Sequence, residues 1–298
     1  MPEQVPSLKA KAEWIPPALQ MIRDNEGNYE TMQEAVASYW QKVSVRVRSP
    51  SKRNSLRAVF GPTLRHLQLI SGEGDSVRLT SKGNEVLKAW ESGGDTAFKK
   101  AFARHLVKLD KDRWVGLIFE LQKHVKPVDI DEFLEHLKKK YPDSDISKDK
   151  LQKLLRNYYE YVGLVQIEEA SVVLRKRQLE ILVKGIDFVP SEQGFLQALL
   201  TAYEELQKEA SGNPYIPIPH LREKTCSITG MWPDDFDKLM MRIPKETSDY
   251  IIHLTQPMLR KPGGIRFAGK YLYFIAIFRK GKKNNEEVSA IRTKKKPI

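Results

Sequence analysis

Arg46, Arg48, Lys52, Arg53 and Arg57 stand within twelve residues of one another, with no acid among them. Arg175, Lys176 and Arg177 form a second basic cluster. Arg260, Lys261, Arg266 and Lys270 form a third around Gly263-Gly264. Closely set Lys and Arg do one kind of chemistry well: they neutralise phosphates and release bound counterions. Acids offer the competing chemistry. Pro233-Asp234-Asp235-Phe236-Asp237-Lys238 has the acid, acid, lysine composition of a metal nuclease. Nuclease acids come from separated strand positions, whereas these share one helical turn, where Asp234 reads as a helix start. The six histidines have no i, i+4 partner and no Cys neighbour, so no metal site is expected. The chain has no P-loop and no G-x-G-x-x-G, so no cofactor is expected either. Aromatic residues such as Trp40, Tyr158, Tyr159 and Tyr161 could stack on bases, but they fall at core spacing.

The charge balance agrees with a phosphate-rich partner. The chain has 298 residues, 50 Lys and Arg against 38 Asp and Glu, and a formal charge of +12. From Arg279 to Ile298 there are eight bases and two acids, half of that excess. This stretch is almost without apolar residues and reads as a disordered basic tail. A hydrophobic fraction of 41% is enough for a packed core. No apolar run approaches about 18 residues, so no membrane span is expected. The single cysteine, Cys226, excludes an internal disulfide and a Cys-rich zinc site, and fits a reducing cytoplasm.

The elements that must carry these bases follow from periodicity. Trp14 to Asp24 reads as a short helix. Thr31, with Glu34 three residues on, reads as the cap of the next, which carries Met32, Val36, Tyr39, Trp40 and Val43. Leu56, Val59, Phe60, Leu64 and Leu67 continue a helical stripe that Gly61-Pro62 interrupts. Two β-type runs then flank Gly72-Glu73-Gly74-Asp75, a hairpin signal. Asp95 reads as a helix cap after Gly93-Gly94.

The order of helices and hairpin recurs. Leu117 and Ile118, then Phe133 and Leu134, then Leu151, Leu154 and Leu155 mark three helices, and Val165 to Leu174 a second hairpin. Leu64-Arg65-His66-Leu67-Gln68-Leu69-Ile70 matches Tyr159-Glu160-Tyr161-Val162-Gly163-Leu164-Val165 in apolar character at each position. A third cycle follows Pro190. It has helices capped by Ser191 and opened by Pro217 and Pro233, strands at Tyr250–Leu254 and Tyr271–Phe278, and a long basic insertion between those strands.

Three helices and a hairpin form the layout of a winged-helix domain. Leu79-Thr80-Ser81-Lys82-Gly83 resembles the Leu-Thr-x-x-Gly that closes many such domains. Gln68 departs where Gly is usual, and Gly163 restores it. The whole plan is similar to tandem winged-helix DNA-binding proteins, among them the recognition regions of type IIS restriction enzymes and DNA-binding subunits of prokaryotic defence systems. The resemblance implies an α+β, mainly α, fold of three consecutive winged-helix units at residues 14–95, 96–185 and 190–280, with the basic tail at 281–298. It implies non-catalytic binding of double-stranded DNA by the recognition or scaffold subunit of a larger complex. The alternative is an adaptor whose winged helices hold a protein partner. The expected phosphate contacts are Lys52, Arg53, Arg57, Arg65 and Arg78 in the first unit. In the second they are Lys148, Lys150, Lys153, Arg156, Arg175, Lys176 and Arg177. In the third, whose last helix starts acidic, they are the wing residues Arg260, Lys261 and Arg266.

Overall fold

Pro16 and Pro17 lie in the first turn of α1 (Ile15–Asp24), where their missing N–H groups cost nothing. α2 (Tyr29–Val43) is capped by Asn28, whose Oδ1 accepts from the Thr31 N–H at 3.1 Å. The cap therefore lies three residues before the expected Thr31, because the Asn side chain reaches the first-turn donors itself. The computed structural model describes residues 6, 8–43, 55–124, 126–184, 190–246, 249–257 and 262–280. The chain forms two compact units, residues 1–187 and 188–298. The fold is mainly helical, with small antiparallel sheets.

In the first unit a π-helical turn, Leu56–Phe60, runs into α3 (Gly61–His66). β1 (Ile70–Ser71) and β2 (Arg78–Leu79) make the first hairpin, and α4 (Ser81–Asp112) follows, broken at Gly94 by φ 64° and ψ −152°. Asp95 pairs with Lys99 and accepts from the Tyr161 hydroxyl. Next come α5 (Leu117–Gln122), β3 (Val128–Asp129), α6 (Ile130–Lys140) and α7 (Lys148–Leu154), which ends in a second π-helical stretch, Leu155–Glu160. β4 (Val165–Glu168), β5 (Ser171–Leu174) and α8 (Lys176–Val183) complete the unit.

The repeat holds at the level of single hydrogen bonds. Ile70 pairs with Leu79, and Val165 with Leu174, an offset of 95 residues in both strands. Each third helix closes through a left-handed residue, Gln68 (φ 55°) and Gly163 (φ 75°). The Leu69 N–H returns to the Leu64 carbonyl, and Leu164 to Tyr159, both at 2.8 Å. Beyond each hairpin the backbone of Thr80 and of Arg175 donates to Leu69 and Leu164, at 3.0 and 2.9 Å. Gly83 is required by contact: a Cβ there would stand 2.1 Å from the Leu69 carbonyl oxygen. Thr80 Oγ1 donates to the Gln68 carbonyl and accepts from the Gly83 N–H, which accounts for both ends of the Thr-x-x-Gly segment.

The repeats differ at their third strand. The second has β3 against β5, giving the order β3-β5-β4. In the first, the Glu26 carboxylate accepts from the Leu79 N–H and the Asp75 carboxylate from the Tyr29 N–H.

The second half of α4 ties the repeats together. Phe98 and Phe102 stack at 5.2 Å within the core, His105 donates to the Leu67 carbonyl, and Asp110 reaches the second repeat. Asp110 is fully buried; it accepts from the N–H groups of Leu117 and Ile118 at the start of α5 and from the Tyr159 hydroxyl.

The second unit carries α9 (Glu192–Glu209), β6 (Ile216–Pro217), α10 (Ile218–Thr229), α11 (Pro233–Arg242), β7 (Tyr250–Thr255), β8 (Ile265–Phe267), β9 (Lys270–Leu272) and β10 (Phe274–Arg279). Its main sheet has the order β6-β10-β7, with the last strand in the middle, as in the second repeat. Phe195, Leu221, Phe236 and Ile275 fill the core. The expected strand at Tyr271–Phe278 is divided. Tyr271 belongs to the small β8–β9 hairpin, and the strand against β7 begins at Phe274. No helix among the described residues is long and apolar enough to cross a membrane.

Candidate nucleic-acid interface

The third helix of the first repeat buries Leu56, Phe60, Thr63 and Leu64 and leaves Arg57, Arg65 and His66 exposed. No acid occurs anywhere from residue 35 to residue 72. Arg57 has no ion pair among the described residues. Arg65 Nη2 donates to the Gly72 carbonyl at 3.1 Å, tying helix to hairpin without meeting a carboxylate. Arg78, exposed on β2, faces Ser71 across the ladder. Lys52 and Arg53 lie outside the described residues.

The corresponding helix of the second repeat is neutralised. Lys148 pairs with Asp131 at 2.6 Å and Lys153 with Asp149 at 2.7 Å, while Lys150 pairs with Asp145. A phosphate arriving here must displace a carboxylate from each lysine. Exposed pairs of this kind add little stability, but they cancel the field that attracts a polyanion. Arg156 Nη2 donates to the Glu169 carbonyl in the hairpin turn at 3.2 Å.

The structure disperses Arg175-Lys176-Arg177. Arg175 stands at the position of Thr80 and sends Nη1 to the Gly163 carbonyl at 3.4 Å, the counterpart of the bond from Thr80 to Gln68. Arg177 pairs with Glu180 at 2.9 Å. Lys176, the first residue of α8, has no ion pair among the described residues.

In the second unit Arg266 is exposed on β8 opposite Tyr271. Arg260 and Lys261 lie outside the described residues, as does the tail 281–298. The acidic start of α11 has a structural use. Arg222 donates from Nε to Asp237 Oδ1 at 2.8 Å, from Nη2 to Oδ2 at 3.1 Å, and from Nη1 to the Gly263 carbonyl at 2.9 Å. Burial raises the Asp237 pKa, and the adjacent guanidinium opposes that rise. Among the described residues no three His, Cys, Asp or Glu are grouped to hold a metal.

Arg222 had no signal in the sequence, because its partners lie 15 and 41 residues away. Of the neutralising acids, only Asp149, four residues before Lys153, and Glu180, three residues after Arg177, sit at spacings that sequence alone interprets. Arg65, Arg156 and Arg222 act alike, each holding a carbonyl of its own hairpin or of the turn that leads into β8.

No protein-family model matches this chain, and no curated protein is significantly similar to it.

Proposed function

We propose that the chain binds double-stranded DNA without cutting it, through winged-helix units, with the third helix of the first repeat as its principal contact. One contrast carries this reading. Arg57 and Arg65 project from an acid-free stretch, whereas Lys148, Lys150 and Lys153 on the corresponding helix of the second repeat each meet a carboxylate. The winged-helix reading is supported by the order of three helices and a hairpin, repeated at a 95-residue offset, and by the shared sheet order of the second repeat and the second unit. Arg78 and Arg266 then serve as wing contacts to phosphate, and the basic tail adds attraction that is independent of sequence.

The neutralised face of the second repeat supports a protein-facing role for that part. This accords with a recognition or scaffold subunit of a larger cytoplasmic assembly, of the restriction or phage-defence kind that the resemblance implies. Fluorescence anisotropy with a labelled duplex tests the reading, using the whole chain and the chain lacking residues 281–298. Binding that survives truncation and weakens steeply between about 50 and 200 mM salt supports it. Binding lost with the tail contradicts it.

A further inference from the structure

A cleft of about 340 Å³ lies between α2, the third helix and the hairpin of the first repeat. Its size falls within the usual range of small-molecule sites, about 300–1,000 Å³. Arg57, Gly61 and Arg65 line one wall at four-residue intervals. A Cβ on Gly61 would stand 3.2 Å from Arg65 Nη1 and 2.6 Å from the Leu56 carbonyl oxygen. The glycine thus lets the guanidinium lie low against the helix. The π-helical turn Leu56–Phe60 directly precedes it, and such turns recur at functional sites. Tyr29 and Gln33, four residues apart on α2, line the other wall. Neither side chain has a hydrogen-bond partner among the described residues. Leu56, Ile70 and Val77 supply apolar surface, and Glu73 stands among the lining residues.

We infer that this cleft is a binding site for a nucleoside monophosphate. Two guanidiniums on one wall suit a single phosphate group, which they can hold through paired N–H donors. The phenol of Tyr29 and the carboxamide of Gln33 offer donors and an acceptor to the edge of a base, and the aliphatic side chains offer a surface for its ring. The Glu73 carboxylate disfavours the extra charge of a di- or triphosphate. The cleft shares Arg57 and Arg65 with the proposed DNA contact, but the inference does not rest on that reading, and its test contains no DNA.

Isothermal titration calorimetry on the whole chain decides the matter. The probes are the four common nucleoside 5′-monophosphates, with inorganic phosphate and the free nucleosides as their halves. At least one monophosphate is expected to bind saturably, and each of its halves about ten-fold more weakly or less. Arg57→Ala removes an exposed side chain with no ion pair, so it is expected to lower affinity about ten-fold with the thermal midpoint unchanged. Arg65→Lys keeps the charge and loses the fork, and is expected to weaken binding similarly. Three results would overturn the site: no saturable binding of any monophosphate at millimolar concentration, inorganic phosphate binding as tightly as the nucleotide, or affinity unmoved by Arg57→Ala.

Discussion

Thr63 and Tyr158 hold the two backbone polar groups of one residue, Ala10. Thr63 Oγ1 accepts from the Ala10 N–H at 3.2 Å and from the Lys9 N–H at 3.0 Å, and the Tyr158 hydroxyl donates to the Ala10 carbonyl. The two residues are equivalent in the repeat, 95 positions apart, and both are buried. The N-terminal segment therefore lies between the two third helices and is fastened to each. Thr63→Val leaves two N–H groups without their acceptor and is expected to cost about 1–3 kcal/mol. Tyr158→Phe strands one carbonyl at a similar cost. Because both bonds order one residue, the double variant is expected to deviate from additivity by about 0.5 kcal/mol or more in urea unfolding. Additive costs would mean that the segment is not a shared strap.

The closing turns of the third helices give a second pair of expectations. Gln68 and Gly163 share the left-handed conformation, which a side chain makes costly. Gln68→Gly is expected to stabilise the chain by about 0.5–1 kcal/mol, and Gly163→Ala to destabilise it by about 1 kcal/mol. Thermal unfolding of the two variants should shift in opposite directions.

Two buried acids set opposite pH dependences. Burial pushes the Asp110 pKa up to about 7, although the Ile118, Tyr159 and Leu117 donors work against that rise. The folded state thus binds the proton more tightly than the unfolded state, and stability falls as pH rises from about 4 to about 7. Burial raises Glu120 too, but its bonds from Lys123, Lys140 and His136 outweigh that and bring it down to about 2. Its contribution is present above about pH 4.5 and is lost as pH falls toward 2. Each group contributes a slope of at most about 1.4 kcal/mol per pH unit. Urea midpoints measured from pH 3 to 8 should show both arms, and Glu120→Gln should remove only the acidic one. An unchanged acidic arm in that variant would contradict the assignment.

Arg222 and Asp237 are expected to act on the turn at Gly263 that leads into β8. Arg222→Ala leaves a half-buried carboxylate without its partner and releases the Gly263 carbonyl, a loss of about 1–3 kcal/mol. Protease nicking between residues 255 and 265 should accelerate in the variant. Unchanged nicking would mean that the arginine does not tether the turn at Gly263.

Much of the helical frame was legible because caps and stripes are local. Ser147 and Ser191 accept from Lys150 and Gly194 as their positions suggest. The apolar match around Gln68 and Gly163 was visible because both helices must end on the same left-handed turn. The candidate interface was less legible. The partner of Lys153, Asp149, is visible in its spacing, but only the fold brings Asp131 to Lys148 and Asp145 to Lys150. Arg175 reads as a phosphate contact until its position shows it filling the place of Thr80. The strap at Ala10 left no trace, since a buried alanine carries no chemical signature of its two partners.

In the proposed mode of binding, the third helix of the first repeat, and not that of the second, meets DNA. Duplex affinity measured against salt for the whole chain, Arg57→Ala and Lys153→Ala tests this most directly. Arg57→Ala is expected to weaken binding several-fold and to reduce the slope of log affinity on log salt by about one. Lys153→Ala, whose lysine is already held by Asp149, is expected to change affinity by less than about two-fold. Equal losses in the two variants, or a greater loss from Lys153→Ala, would contradict the account.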